Sequence, residues 1–192
     1  MGEFADIFVC MYRPSLAGIP QFALPDGFSL SLFKPGQADD WLAVQQRAER
    51  IVRVTRKTFD DNFGHDLPAM ADRSYFLLDA AGAPIGTATA WYDDSFHGRR
   101  AGRVHWVAVV PEFQGRGLAK PLMTAVMNRL ARSHEAAYLI TSTLRLAAIH
   151  LYLNFGFVPL VRDAKHPAAW EQVRRRLAHP MLDRPPLTPD MV

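Results

Sequence analysis

Val107-Ala108-Val109-Val110-Pro111-Glu112-Phe113-Gln114-Gly115-Arg116-Gly117-Leu118-Ala119-Lys120 runs from an apolar strand through a glycine-rich turn into a helix. Arg103 to Val110 has the character of a strand, and Leu118, Leu122, Val126 and Leu130 then recur every four residues on a helix ending near Arg132. Two glycines stand just before the helix, so backbone N–H groups without intrahelical partners gather at its N-terminus, a geometry that binds anions. Gly115 and Gly117 let that backbone approach a phosphate oxygen with no Cβ in the way, and each charge-assisted hydrogen bond is worth roughly 1.5–3 kcal/mol. Arg116 and Lys120 add positive charge suited to a pyrophosphate or ribose phosphate. Glycines before a helix also serve simply to make a tight turn, so the segment alone does not name its ligand. A Walker A loop is excluded, because Lys120 is followed by Pro121 and not by a magnesium-binding hydroxyl. A dinucleotide fingerprint fits poorly, since Lys120 stands where a third small residue is needed.

Strand, helix and strand repeat downstream: Ala137 to Ser142, Leu144 to Asn154 closed by Gly156, and Phe157 to Val161, before a helix from Ala168 to Ala178. Upstream, Tyr75 to Asp79 and Ile85 to Tyr92 form a hairpin around Ala80–Pro84. A short helix covers Lys57 to Phe63, broken by Gly64 and Pro68. Before it, Phe28 to Phe33 reads as a strand and Ala38 to Val54 as a helix, with Trp41, Leu42, Val44, Ala48, Ile51 and Val52 on one face. Residues 1–27, with Pro14, Pro20, Pro25, Gly18 and Gly27, read as an arm draped over a single domain at 28–179, and the proline-rich residues 180–192 as an extended or loosely ordered tail. The order is mixed α/β around one sheet.

The glycine-rich segment resembles motif A of the GCN5-related N-acetyltransferases (GNAT), in which Gln or Arg, two residues, Gly, one residue and a small residue follow a strand; Gln114, Gly117 and Ala119 fill the pattern. About thirty residues on, Ala147-Ala148-Ile149-His150-Leu151-Tyr152-Leu153-Asn154-Phe155-Gly156-Phe157 resembles motif B. The resemblance spans about Arg103 to Val161, and before Tyr75 it is one of element order. It implies the GNAT acyl-CoA N-acyltransferase fold, a mostly antiparallel mixed sheet flanked by helices, with acetyl-coenzyme A as cosubstrate and no metal. It implies that the Val107, Ala108 and Val109 backbone pairs with the pantetheine arm, and that Gln114, Gly115, Arg116, Gly117, Leu118, Ala119 and Lys120 grip the pyrophosphate. Two departures stand out: Pro121, which as a proline past the first turn would strain the helix, and Arg145, where the family often has asparagine.

By the same resemblance Tyr152 protonates the departing sulfur, a transfer from a phenol of pKa near 10 to a thiolate whose conjugate acid is near 8.5; packing beside Phe155 and Phe157 is the plainer role for this ring. An alkyl amine is neutral only about once in 2500 molecules at pH 7, equivalent to roughly 4–5 kcal/mol, so some group should assist its deprotonation. The resemblance implies a base on the strand before motif A, at alternate positions; counting back by twos from Val107 puts His105 and Arg103 on one strand face, and of the two only histidine, which is similar to one used this way in the family's arylalkylamine branch, can act as a base. Asp93, Asp94 and His97 are rivals, a structural strand histidine is the bland reading of His105, and relay through water needs no single base. The expected reaction is attack by a neutral amine of a small molecule or peptide on the thioester, with strand N–H groups polarising its oxygen. A noncatalytic acyl-CoA-binding or interaction module is the alternative.

Composition sets the remaining bounds. With 49% hydrophobic and 21% charged residues, the chain has a globular balance. Acids at Glu3 and Asp6 stand where a secretory signal needs a basic flank, and no apolar run has membrane length, so a cytoplasmic protein without a membrane partner is expected. A net charge of +3 is too modest to argue for nucleic acid, and Arg174-Arg175-Arg176 reads as a solvated helix face. Cys10, the only cysteine, lies in an apolar run and takes no role. Asp60, Asp61, His65 and Asp66 form a charge cluster around the second helix. A monomer or homodimer is expected.

Overall fold

The computed structural model describes residues 5–64 and 66–192. Among the described residues, seven strands, β1 (Phe8–Arg13), β2 (Ser29–Leu32), β3 (Ser74–Leu78), β4 (Pro84–Phe96), β5 (Arg99–Val109), β6 (Ala137–Ser142) and β7 (Val158–Leu160), form a sheet in the order β2-β3-β4-β5-β6-β1-β7. β5 and β6 pair in parallel, whereas β1 with β6, β1 with β7, β2 with β3 and β3 with β4 are antiparallel. The helices are α1 (Ala38–Ala48), α2 (Arg56–Phe63), α3 (Leu67–Arg73), α4 (Ala119–Ala131), α5 (Leu146–Asn154) and α6 (His166–Arg174). This is the mixed, mostly antiparallel sheet with helices that the motifs imply. Among the described residues no helix is long and apolar enough to cross a membrane.

The chain divides into two compact units. One comprises the described residues up to Gly18, Tyr92–Arg103 and Ser133–Val192. Its core gathers Cys10, Tyr12, Phe96, Ala101, Tyr138, Leu160 and Val192, with Phe96 stacked on Tyr138 at 3.9 Å between centroids. The reading of residues 1–27 as a draped arm fails at β1, which lies between β6 and β7. A strand covered on both faces is a continuous apolar run without alternation, and the prolines around it masked the signal. Arg13 closes the strand, its buried guanidinium donating to the carbonyls of Phe155, Ser15 and Ala17. The expectation of a loose end at 180–192 is also corrected: the Leu187 N–H donates to Pro159 O at 2.9 Å, its carbonyl accepts from Val161 N–H at 2.8 Å, and Leu182 is buried.

The second unit comprises Ile19–Trp91 and Val104–Arg132. Trp41, Phe59 and Phe63 meet at 5.3–5.6 Å in its core, and Trp91 meets Phe63 edge-on at 5.2 Å. The segment after Ile19 lies on α4: the Thr124 hydroxyl donates to Pro20 O and accepts from Phe22 N–H. The expected helix to Val54 stops at Ala48, because Glu49 turns extended and its carboxylate accepts from the N–H groups of Arg50, Ile51 and Val52. Pro68, read as a breaker, begins α3 instead, in the first turn where its missing N–H has no helical partner to lose.

Candidate functional site

Two short elements separate β5 from α4. Pro111–Phe113 makes one 3-10 turn, then Gly115 (φ +75°) and Gly117 (φ +76°) take left-handed conformations that open the backbone. Among the described residues, the N–H groups of Gly115, Arg116, Gly117, Leu118 and Ala119 have no hydrogen-bond partner. A Cβ placed on either glycine would meet nothing within 4 Å. Gly115, Arg116, Gly117 and Lys120 are exposed, Ala119 is half-buried and Leu118 anchors the turn in the core. The α4 N-terminus has no side-chain cap. A row of free donors on exposed backbone fits an anion with several acceptor oxygens.

The Pro121 departure resolves in the same geometry. α4 begins at Ala119, so Pro121 is its third residue and lies within the first turn, where N–H groups lack intrahelical partners anyway. The expected strain is absent for that reason. Gln114, Arg116 and Lys120 have protein partners of their own: Gln114 Nε2 donates to Val109 O at 2.8 Å, Arg116 donates to Glu112 O and covers the Phe113 ring, and Lys120 lies over Phe22. Gln114 thereby ties the turn to the end of β5.

Inside β5, Trp106 has φ +49°. A left-handed tryptophan within a strand is strained by about 1–3 kcal/mol and marks a bulge. The Trp106 carbonyl accepts from Gln45 Nε2 at 2.9 Å and Thr87 Oγ1 at 3.1 Å, and Gln45 itself is buried. Alternation does not survive such an irregularity, so the step by two from Val107 back to His105, which crosses Trp106, does not keep to one face. The recorded parallel register of β5 with β6 covers Gly102 and Arg103, which leaves Val107, Ala108 and Val109 beyond it. On the β4 side the approach is close: a Cβ on Gly86 would stand 2.8 Å from Ala108 O.

His105 is half-buried, with Nε2 2.8 Å from Asn62 Oδ1 and its ring edge-on to Phe63 at 5.6 Å. Arg103 lies over the Tyr138 ring at 5.7 Å. The rival bases have structural employment. Burial pushes the Asp93 carboxyl up, but hydrogen bonds from the Ser95 amide, the Tyr138 hydroxyl and the Ser95 hydroxyl outweigh it and hold it below the ordinary value. Asp94 pairs with Arg100 at 3.0 Å, and His97 (φ +48°) with Gly98 forms the two-residue turn of the β4–β5 hairpin.

Tyr152 is 7% exposed, and burial pushes its phenol up to about 12, with Arg145 pulling slightly the other way. The Tyr-x-x-Phe-Gly-Phe sequence places it. Phe157 N–H donates to Tyr152 O and Gly156 N–H to Leu153 O, with Gly156 at φ +78°, so α5 ends in a Schellman motif. The apolar contact that accompanies such a cap is here Tyr152 against Phe157, edge-on at 6.3 Å. Arg145 precedes α5, its guanidinium 5.9 Å from the centre of the Phe8 ring. Burial pushes the Cys10 thiol up to about 11, which makes it inert. Asp60 and Asp61 form i,i+4 pairs with Arg56 and Lys57, Asp66 caps α3, and His65 lies outside the described residues.

Among α1, α2 and α3 lies an apolar cavity of about 300 Å³ lined by Phe33, Pro35, Phe59, Leu67, Pro68 and Arg56. Arg56 is engaged by Asp39 and Asp60. The sequence reading did not reach Gln45, Thr87, Asn62 or this cavity. The one available signal was Gln45 itself, a polar residue on the apolar stripe of α1 four residues after Trp41.

The sequence model described as the acetyltransferase (GNAT) family matches residues 39–157. The mycothiol acetyltransferase of Salinispora arenicola is 33% identical over 163 residues, covering 76% of this chain and 49% of that protein. That of Pseudarthrobacter chlorophenolicus is 34% identical over 154 residues, covering 73% and 46%. The chain therefore spans about half the length of the curated relatives it matches. A GCN5-related N-acetyltransferase from Sphaerobacter thermophilus superposes with a TM-score of 0.67 at 18% identity, over 82% of this chain and 49% of that one. In the NatC complex bound to Gag peptide and CoA, a chain superposes with a TM-score of 0.56 at 18% identity, over 66% of this chain and 82% of that one. These two likenesses speak for the fold.

Proposed function

Because this chain belongs to the GNAT acetyltransferase family, we propose that it transfers an acetyl group from acetyl-coenzyme A to a primary amine of a small molecule or polypeptide. The observation that carries this reading is the row of free N–H groups from Gly115 to Ala119 at the head of α4. These donors suit the pyrophosphate of coenzyme A, and the exposed positions of Arg116 and Lys120 add charge beside them. Val107–Val109 offers an extended edge for the amides of the pantetheine arm. When bound, acetyl-coenzyme A supplies an activated thioester carbonyl and a thiolate leaving group.

The side chains then have separate tasks. His105 takes the proton from an acceptor amine, giving it a local acceptor on the way to the neutral form, which lies roughly 4–5 kcal/mol above the ammonium at pH 7. Tyr152 holds a proton at Oη across the neutral range, since burial disfavours its anion. The apolar surroundings that disfavour a phenolate also disfavour any other anion formed there, so burial weighs on both sides of a proton transfer from Oη and leaves the balance set by the two groups' ordinary acidities. The cavity among α1–α3 suits an apolar part of the acceptor, because Arg56 is already paired with carboxylates. Because the curated relatives are named for a small thiol, mycothiol, and not for a polypeptide, small-molecule amines are the first class to try, ahead of peptide N-termini and lysine peptides. The test is thiol release from acetyl-coenzyme A across such a panel. Amine-dependent release supports the reading, and no release from any amine, together with no binding of coenzyme A, overturns it.

A further inference from the structure

We infer that Asn62 is a positioning residue that holds the His105 imidazole as its Nε2–H tautomer and thereby makes Nδ1 the nitrogen that accepts a proton. This deepens the proposed function and rests on His105 being the base. On α2, Asn62 Nδ2 donates to Thr58 O at 2.7 Å. A backbone carbonyl only accepts, so the Asn62 amide cannot be turned over without setting two oxygens against each other. Its Oδ1 must therefore face His105 Nε2, 2.8 Å away, and must accept. The nitrogen that meets an acceptor in neutral imidazole is the one that carries hydrogen. Nε2 is therefore protonated and the lone pair sits on Nδ1.

The arrangement also suits the task. Proton capture at Nδ1 leaves the Nε2–H bond to Asn62 intact and makes it charge-assisted, so the product imidazolium is held better than the neutral ring. Phe63 and Trp106, which pack against the ring, add no charge to it. An asparagine acceptor adds no charge beside the ring, whereas a carboxylate there would favour the imidazolium and leave less of the neutral base at neutral pH.

Nitrogen-resolved NMR of the whole chain reads the tautomer directly. The expectation for the unaltered protein is a neutral His105 with hydrogen on Nε2; hydrogen on Nδ1 overturns the inference without any variant. In Asn62→Leu the tautomer ratio should shift toward Nδ1–H by about three- to tenfold, the equilibrium equivalent of one ordinary hydrogen bond. Its kcat should fall by a similar factor, with the KM for acetyl-coenzyme A unchanged. Asn62→Asp keeps the shape and the acceptor, so the tautomer should persist while the His105 titration midpoint and the acid limb of the rate profile rise together by about one pH unit. An unmoved tautomer in the leucine variant, or an unmoved midpoint in the aspartate variant, overturns the inference. His105→Gln separates the two ideas. If it keeps the full rate while the NMR changes occur, the base assignment fails and the positioning stands; if it loses the rate while Asn62 variants leave the ring unchanged, the positioning alone fails.

Discussion

Tyr152 lies at the third position from the end of α5, and its ring angle is set by the cap that follows it. Folding holds its proton more tightly, raising the phenol from 10 to about 12. The sign follows from linkage: the stability contributed by the neutral phenol is complete below pH 10 and is lost as pH rises from 10 toward 12. Between pH 6 and 10, Tyr152 therefore shapes neither stability nor the rate profile. Tyr152→Phe keeps the ring and the Phe157 contact, and should lower kcat about 10²-fold, the lower end for an acid–base catalyst. Any fall in rate below pH 10 should persist in the residual activity of that variant. A basic limb that disappears with the hydroxyl would refute the assignment of the shifted pKa to Tyr152.

At the scale of elements, β5 shows what pattern reading can and cannot reach. Alternation located the strand and the glycines located the head of α4, because both are periodic or compositional features. The bulge at Trp106 is neither, since tryptophan is an ordinary strand residue and nothing local announces φ +49°. Its support comes from Gln45 on α1 and Thr87 on β4, sixty-one and nineteen residues away. Gln45→Leu leaves the Trp106 carbonyl one donor short in a buried place and should cost about 1–3 kcal/mol of stability, read as a lower urea midpoint. β1 escaped for a different reason, since a strand covered on both faces has no alternation to detect. Pro121 gives the opposite prediction. No intrahelical bond is lost in the first turn, so Pro121→Ala should change stability by no more than about 1 kcal/mol, through unfolded-state entropy alone. A stabilisation well beyond that would mean the proline strains α4 after all.

For the molecule as a whole, the legible part of the candidate site was the part held by backbone. An anion cradle needs glycines and a helix start, which sequence records, whereas the cavity proposed for the acceptor is lined in part by side chains of α1, α2 and α3 brought together only by folding. Ligand linkage tests the cradle. Acetyl-coenzyme A at a hundred times its Kd should stabilise the folded chain by about 2.7 kcal/mol, and at about 2–4 °C per kcal/mol for a chain of this size Tm should rise by about 5–10 °C. Gly117→Val puts a branched Cβ on a residue at φ +76°. No atom lies within 4 Å of that Cβ, so the damage is confined to backbone strain of about 1–2 kcal/mol and to the approach of a phosphate. The variant should melt a few degrees lower on its own and lose most of the shift induced by acetyl-coenzyme A. Strain alone would lower both curves in parallel and leave the shift intact, so an undiminished shift in Gly117→Val would place the pyrophosphate somewhere other than the head of α4.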